Sequence, residues 1–365
     1  PPRALPPRHL PLGRKNRPRK RSLLRNQSPS PSRRPPPLQS LQTINSIYRK
    51  VYEMTEYLIK NIFDKCQYRY FFEPCNNTKQ CIYNTKQCIY NDFCSNDCGQ
   101  CLRYIHFQDN APEIFKGRNY DCIRMADYYV LQFGLRYASE MLYAIENVLV
   151  DQKPEISVLS LGCGPCTDLF AFDYLLHKKQ IASLQYYGTD LNYNDVWSRI
   201  HNDIFRYAHD NTYETVFNYD DAYDIFTYLE NFKIKPNVIV FQYVFSDMAK
   251  RSDPKTIFDY ANKIAKYIKN EMPSSVIIMN DINLTNKCGG GLDYFDYLVE
   301  QLPHKILLSD TKKYFANDYN DSVGKGTYGY GEKYHMNKLR FSEIIPLDTI
   351  QQISPKKYCA SAQRI

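Results

Sequence analysis

The sequence predicts an α/β fold, a parallel sheet covered by helices, carrying a helical, cysteine-rich N-terminal extension. Three observations predict it. Strand-like and helix-like segments alternate from residue 156 onward, a glycine-containing turn joins the first strand to the first helix, and the composition changes sharply after about residue 40. With 365 residues, 43% of them apolar, the chain has material for one large or two modest domains.

Residues 1–40 form the first segment. Eleven of the first 37 residues are proline, so ordering entropy is not offset by apolar burial and a disordered tail is expected. The first 52 residues hold 13 Lys and Arg and no acid, which leaves 34 basic and 39 acidic residues in the remainder. The net charge of +8 therefore lives in the tail, and the folded part is mildly acidic. The tail faintly resembles an organelle transit peptide, although its prolines oppose an amphipathic helix. No run of about 18 apolar residues and no signal-peptide pattern occur, so a soluble, intracellular protein without a membrane span is expected, its 12 cysteines thiols or metal ligands rather than disulfides.

Residues 41–122 form a helical, Cys-rich accessory segment. Ile44, Ile47, Tyr48, Val51, Met54, Tyr57, Leu58 and Phe63 recur at spacings of three and four and predict a helix over 41–65. The tandem "NTKQCIY" at 77–83 and 84–90 is too short for a solenoid and reads as a duplication within a loop. "CSNDCGQC" (94–101) holds a C-x2-C, and Cys88, Cys94, Cys98 and Cys101 are the candidate ligands of a zinc ion, with His106 and Cys122 in range. Unligated thiols and an iron–sulfur cluster are the alternatives. The C-x3-C-x2-C spacing resembles radical S-adenosylmethionine enzymes, but Gln100 stands where those carry an aromatic residue.

A second helix pattern covers 123–150. Strands are expected at 156–161, 183–189, 214–218, 236–243 and 274–282, and two late ones within 333–345 and 356–365. "VLSLGCGPCTDL" ends the first strand. Gly162 and Gly164 permit a sharp turn and close approach to a ligand, and Pro165 suits the first turn of a helix. Thr167 occupies the sixth position of the dinucleotide fingerprint, and the Lys of a Walker loop is missing. Asp190 closes the second strand at a distance that suits ribose hydroxyls.

The short G-x-G-P loop resembles motif I of the class I S-adenosylmethionine-dependent methyltransferases, commonly V-L-D-L-G-C-G-P/T-G. Ser160 replaces the usual acid and Cys166 the third glycine. The resemblance covers residues 123–365 and implies a Rossmann-like seven-stranded methyltransferase sheet with S-adenosyl-L-methionine as cofactor. By the same resemblance Gly162, Cys163 and Gly164 form the cofactor loop, Asp190 and Leu191 fall on motif II, and Asp220 and Asp221 face the adenine amino group. Phe241 and Gln242 would lie beside the methyl donor, and Asp168 would offer charge to its ammonium group. Another nucleotide-binding α/β domain is the alternative.

Methyl transfer needs alignment of a nucleophile and exclusion of water, with a base only if the nucleophile is protonated. Tyr243 and Asp281 are the catalytic candidates at the strand ends, beside Asn280 and Asp247, the last also suited to cap the following helix. The fourth strand carries neither N/D-P-P-Y/F nor Pro-Cys, which disfavours adenine-type amino methylation and cytosine-C5 chemistry. The acceptor is RNA, protein or a small molecule, with RNA favoured by the basic tail and disfavoured by the acidic core. A non-catalytic scaffold on a degenerate methyltransferase fold is the rival, motivated by Ser160 and Cys166. On this reading metal chemistry belongs to the upstream cysteines, and Cys163 merely fills a small-residue slot.

Overall fold

The computed structural model describes residues 57–73, 98–106, 120, 122–148, 154–191, 195–219, 222–282, 290–302, 309–310, 314–316, 333–335, 341, 344–345 and 361–364. The expected disordered tail, the heptapeptide repeat, Cys88, Cys94, Asp220 and Asp221 lie outside them. Among the described residues no helix is long and apolar enough to cross a membrane.

Strands β1 (Glu155–Leu161), β2 (Ser183–Thr189), β3 (Glu214–Asn218), β4 (Val238–Gln242) and β5 (Val276–Ile282) pair in parallel in the order β3-β2-β1-β4-β5. β9 (Ser361–Arg364) runs antiparallel beside β5, and β6 (Ser309–Asp310) antiparallel beside β9. The five expected strands are all present. The late segment at 333–345 behaves differently: among the described residues β8 (Lys333–His335) pairs with β7 (Tyr314–Ala316) and not with the main sheet, while Phe341 and Ile345 are buried in the main core.

Two-residue alternation divides the core. Ile156 and Val158 of β1, Val238 and Val240 of β4 and Ile278 of β5 enter one apolar cluster; Leu159, Leu161, Ile239, Phe241 and Met279 enter another on the opposite face. The first cluster is covered by α1 (Leu58–Phe72), α3 (Ile123–Val148), α4 (Leu169–His177) and α5 (Ser198–Asp210). The second is covered by α6 (Ala222–Asn231), α8 (Pro254–Glu271) and α9 (Leu292–Gln301), with the short α7 (Val244–Met248) after β4. In α8 the buried Ile257, Ala261, Ile264, Ala265 and Ile268 follow helical spacing, and Asp253 caps the helix by accepting from the Thr256 N–H at 3.1 Å.

Helix α1 runs past the expected end at residue 65 because its buried stripe continues through Cys66 to Arg69. A charged residue hides that stripe from the pattern. Arg69 tolerates burial because its Nε donates to Asp127 of α3 at 2.9 Å and its Nη1 to Asp203 of α5 at 2.6 Å. Asp127 also accepts from Arg199 at 2.5 Å, and Asp203 from Lys65 at 3.1 Å, so one ionic network joins three helices.

Helix α1 has no side-chain cap of its own at Tyr57. Its first N–H, on Leu58, is received by Asp173 Oδ2 of α4 at 2.8 Å, while Asp173 Oδ1 accepts from the Tyr213 hydroxyl at 3.3 Å. Asp173→Ala therefore leaves a buried N–H unpaired and loosens α1 from the sheet. A loss of about 1–3 kcal/mol in urea-unfolding free energy is expected, with a smaller loss on retaining one acceptor in Asp173→Asn.

Candidate functional site

The chain leaves β1 to build β2 and β3 on one side and returns to build β4 and β5 on the other. The loops after β1 and β4 consequently diverge, and open α/β sheets bind ligands at such a reversal, outside the carboxyl ends of the strands. Gly162 and Gly164 stand there at φ +68° and +48°. A Cβ on Gly162 would meet Val244 at 2.9 Å, whereas nothing lies within 4 Å of one on Gly164. The open side of the loop is thus at Gly164.

The end of β2 holds this loop. The Gly164 N–H donates to Asp190 Oδ2 at 2.9 Å, and the Cys163 N–H to the Thr189 carbonyl at 2.9 Å. Leu191 follows, 54% exposed. Asp168 lies beneath the loop and out of solvent; its Oδ1 accepts from the Tyr186 hydroxyl at 2.9 Å, and burial raises its carboxyl above the ordinary value. Phe241 turns into the core, while Gln242 accepts from the Thr167 hydroxyl at 3.1 Å and donates to the Tyr137 carbonyl at 2.9 Å, bridging loop and α3.

At the ends of β4 and β5 the structure brings Tyr243 and Asn280 together on a residue that the sequence did not single out. Glu140 of α3, fully buried, accepts from the Tyr243 hydroxyl at 2.6 Å and from Asn280 Nδ2 at 3.0 Å. Burial raises its carboxyl, against the opposing pull of Arg136 and these two donors. The Tyr243 ring stacks on Tyr137 with centroids 4.2 Å apart, and its backbone is left-handed at φ +60°. The only sequence signal for Glu140 was an acid within an apolar helical run.

Asp281 is also buried. Oδ2 accepts from the Ser246 N–H at 3.0 Å and Oδ1 from the Ile282 N–H at 2.7 Å, yet burial outweighs these donors and pushes the carboxyl up to about 6. Asp247 is not the helix cap that its position suggested. It lies inside α7, accepting from Tyr120 at 3.4 Å and from Arg251 at 3.3 Å, and the start of α8 is capped by Asp253.

Cys98 and Cys101 of α2 (Cys98–His106) are buried among Met125, Phe133, Tyr137 and Tyr243. Among the described residues, the group that converges with metal-ligating atoms is a different one: Cys163, Cys166 and His201, all buried, with Sγ, Sγ and imidazole nitrogen within 4.8 Å of one another. Burial pushes the Cys166 thiol up, but the Cys163 thiol and the His201 ring beside it bring it down to about 7, while burial raises Cys163 well above the usual range. Sequence spacing could pair the two cysteines but not add a histidine from α5.

No protein-family model matches the chain, and no curated protein matches it. Among solved structures it is similar to a SAM-dependent methyltransferase from Archaeoglobus fulgidus, at 13% identity over 65% of this chain and 98% of that one, TM-score 0.33. It is also similar to the plantazolicin methyltransferase BpumL in complex with SAH, at 14% identity over 73% and 97% of the two chains, TM-score 0.31. A protein from Streptococcus mutans assigned as a SAM-dependent methyltransferase matches at 14% identity and TM-score 0.30 over 48% of this chain, which spans only 41% of that relative's length. At such scores the weight rests on the site itself.

Proposed function

We propose that this chain binds S-adenosyl-L-methionine at the Gly162–Gly164 loop and transfers its sulfonium methyl group to an acceptor. The observation that carries the reading is the glycine loop at the reversal of the sheet, its amide held by Asp190 and its outer side open at Gly164. The strand order β3-β2-β1-β4-β5-β9-β6 supports reading the whole as the seven-stranded methyltransferase sheet. Asp190 then faces the ribose diol, and exposed Leu191 offers an apolar edge beside it. When bound, the cofactor would supply an electrophilic sulfonium methyl group, whose S–CH3 bond would break as the acceptor's lone pair forms the new bond in line, releasing S-adenosylhomocysteine. The protein's task in this step is alignment and dryness.

Tyr243 and Asn280 serve that alignment through Glu140, which ties α3 to both strand ends. Asp281 is a positioning residue: its two backbone hydrogen bonds hold α7 against β5. The acceptor class is open to RNA, protein and small molecules, and the Arg-rich tail would add phosphate affinity for RNA.

Calorimetry with S-adenosyl-L-methionine tests the cofactor: binding at micromolar ligand is expected, and its absence would sink the reading. Labelled methyl transfer into RNA, protein and small-molecule fractions then identifies the acceptor. Asp190→Ala removes an acceptor worth about 1–3 kcal/mol, so cofactor affinity should fall roughly 5- to 150-fold. Gly164→Ala puts a Cβ at φ +48°, costing about 1–2 kcal/mol of backbone strain, and should weaken cofactor binding more than it lowers the melting temperature.

The Asp281 carboxyl titrates at about 6 in the folded protein, above the ~3.9 of an unfolded aspartate. Its neutral form stabilises the fold fully below about pH 4, and that contribution, about 2–3 kcal/mol, is lost as pH rises through about 6. Denaturation at each pH should therefore show the parent losing stability relative to Asp281→Asn between pH 4 and 7. A gap independent of pH would assign the titration elsewhere.

A further inference from the structure

We infer that Cys163, Cys166 and His201 form a binding site for a thiophilic divalent ion, zinc foremost, beneath the glycine loop. The Cys166 N–H donates to the Cys163 carbonyl at 2.8 Å, so residues 163–166 close a turn that returns the second thiol beside the first. Cys166 does this at φ +58°, a left-handed backbone that a side chain adopts at a cost and where glycine would sit without strain. A cysteine held there needs a reason, and the converging ligand atoms supply one.

His201 reaches the same point from α5 with its ring already oriented. It stacks on Phe217, centroids 4.2 Å apart and planes 10° apart, and on Tyr219 at 5.5 Å and 6°. Its Nδ1 lies 3.0 Å from the Tyr219 hydroxyl and its Nε2 2.6 Å from the Gly164 carbonyl. One ring nitrogen thus holds an outer partner while the other faces the loop, the arrangement by which metal-ligating histidines are positioned.

All three ligand atoms fall within 4.8 Å of one another. Bonds of about 2.3 Å to sulfur and 2.0–2.1 Å to nitrogen place tetrahedral ligands roughly 3.5–4 Å apart, so the set closes with sub-ångström movements and transfer of Nε2 from the carbonyl to the ion. Two thiolates and an imidazole select zinc over magnesium or calcium. The bound ion would fasten the glycine loop to α5, two elements that otherwise meet there through the His201–Gly164 contact.

The site is tested on the full chain, reduced and stripped by chelator, with Co2+ and Zn2+ as probes. One equivalent of Co2+ should produce thiolate-to-cobalt charge-transfer absorption that Zn2+ abolishes. The band should be lost in Cys166→Ser and in His201→Ala and kept in the double variant Cys98→Ser/Cys101→Ser. Tyr219→Phe, which removes only the outer hydroxyl, should weaken zinc roughly tenfold. Because the loop variants could unfold, the unaltered protein is also alkylated with N-ethylmaleimide and mapped by mass spectrometry: zinc should protect Cys163 and Cys166, and chelator should expose them. Absence of the band in folded, reduced protein overturns the proposal. So does a band that follows Cys98 and Cys101 instead, or equal alkylation of Cys163 and Cys166 with and without zinc.

Discussion

β1 is paired in parallel along both edges and buried on both faces, so its carboxyl end cannot shift to suit a ligand. The loop that follows must turn within the space left between β2 and β4, and it does so through left-handed backbone. Gly162, Gly164 and Cys166 all have positive φ, as does Tyr243 at the end of the neighbouring β4. Two of these four carry side chains, so part of the strain is borne by non-glycine residues. Strain of this kind persists where surrounding structure over-determines it, and it clusters at binding sites.

Buried carboxylates anchor the helices to this sheet. Asp173 receives the first amide of α1, Glu140 joins α3 to β4 and β5, Asp281 joins α7 to β5, and Asp127 with Asp203 collects the arginines of α1 and α5. Burial alone disfavours each charge, and each is compensated by amide, hydroxyl or guanidinium donors. Such contacts contribute less to net stability than apolar burial does. Their effect is directional: they set how each helix sits, and hence where Tyr243, Gln242 and the glycine loop stand relative to one another.

The glycine loop has two sides with different chemistry. Outward, at Gly164, it is open and edged by Asp190; inward it presents two thiols to a histidine on α5. Gly164 belongs to both sides, since its N–H meets Asp190 and its carbonyl, in the next peptide group, meets His201. Anything that repositions His201 therefore acts on the residue whose N–H would face the cofactor, which gives the two sides a common mechanical element.

The parallel strands were legible because doubly buried strands read as apolar runs: "VLSL" and "VIVF" admit little else. The glycine loop was legible because the backbone conformation it needs restricts residue type. Asp190 was legible because its distance from the loop follows from one helix and one strand. Where a charge interrupted an apolar stripe, as Arg69 does in α1, the pattern broke, since only its partners on α3 and α5 make that burial tolerable. Glu140 and His201 were not legible, because each meets groups at the strand ends and loop that lie far from its own helix in the sequence. The upstream cysteines drew the metal reading because their spacing is local, while Cys163, Cys166 and His201 meet only after α5 docks on β3, where His201 stacks on Phe217. Local chemistry, then, was determined by the sequence alone; which buried polar groups face each other was decided by tertiary packing, because burial makes a polar group depend on whatever partner the fold brings to it.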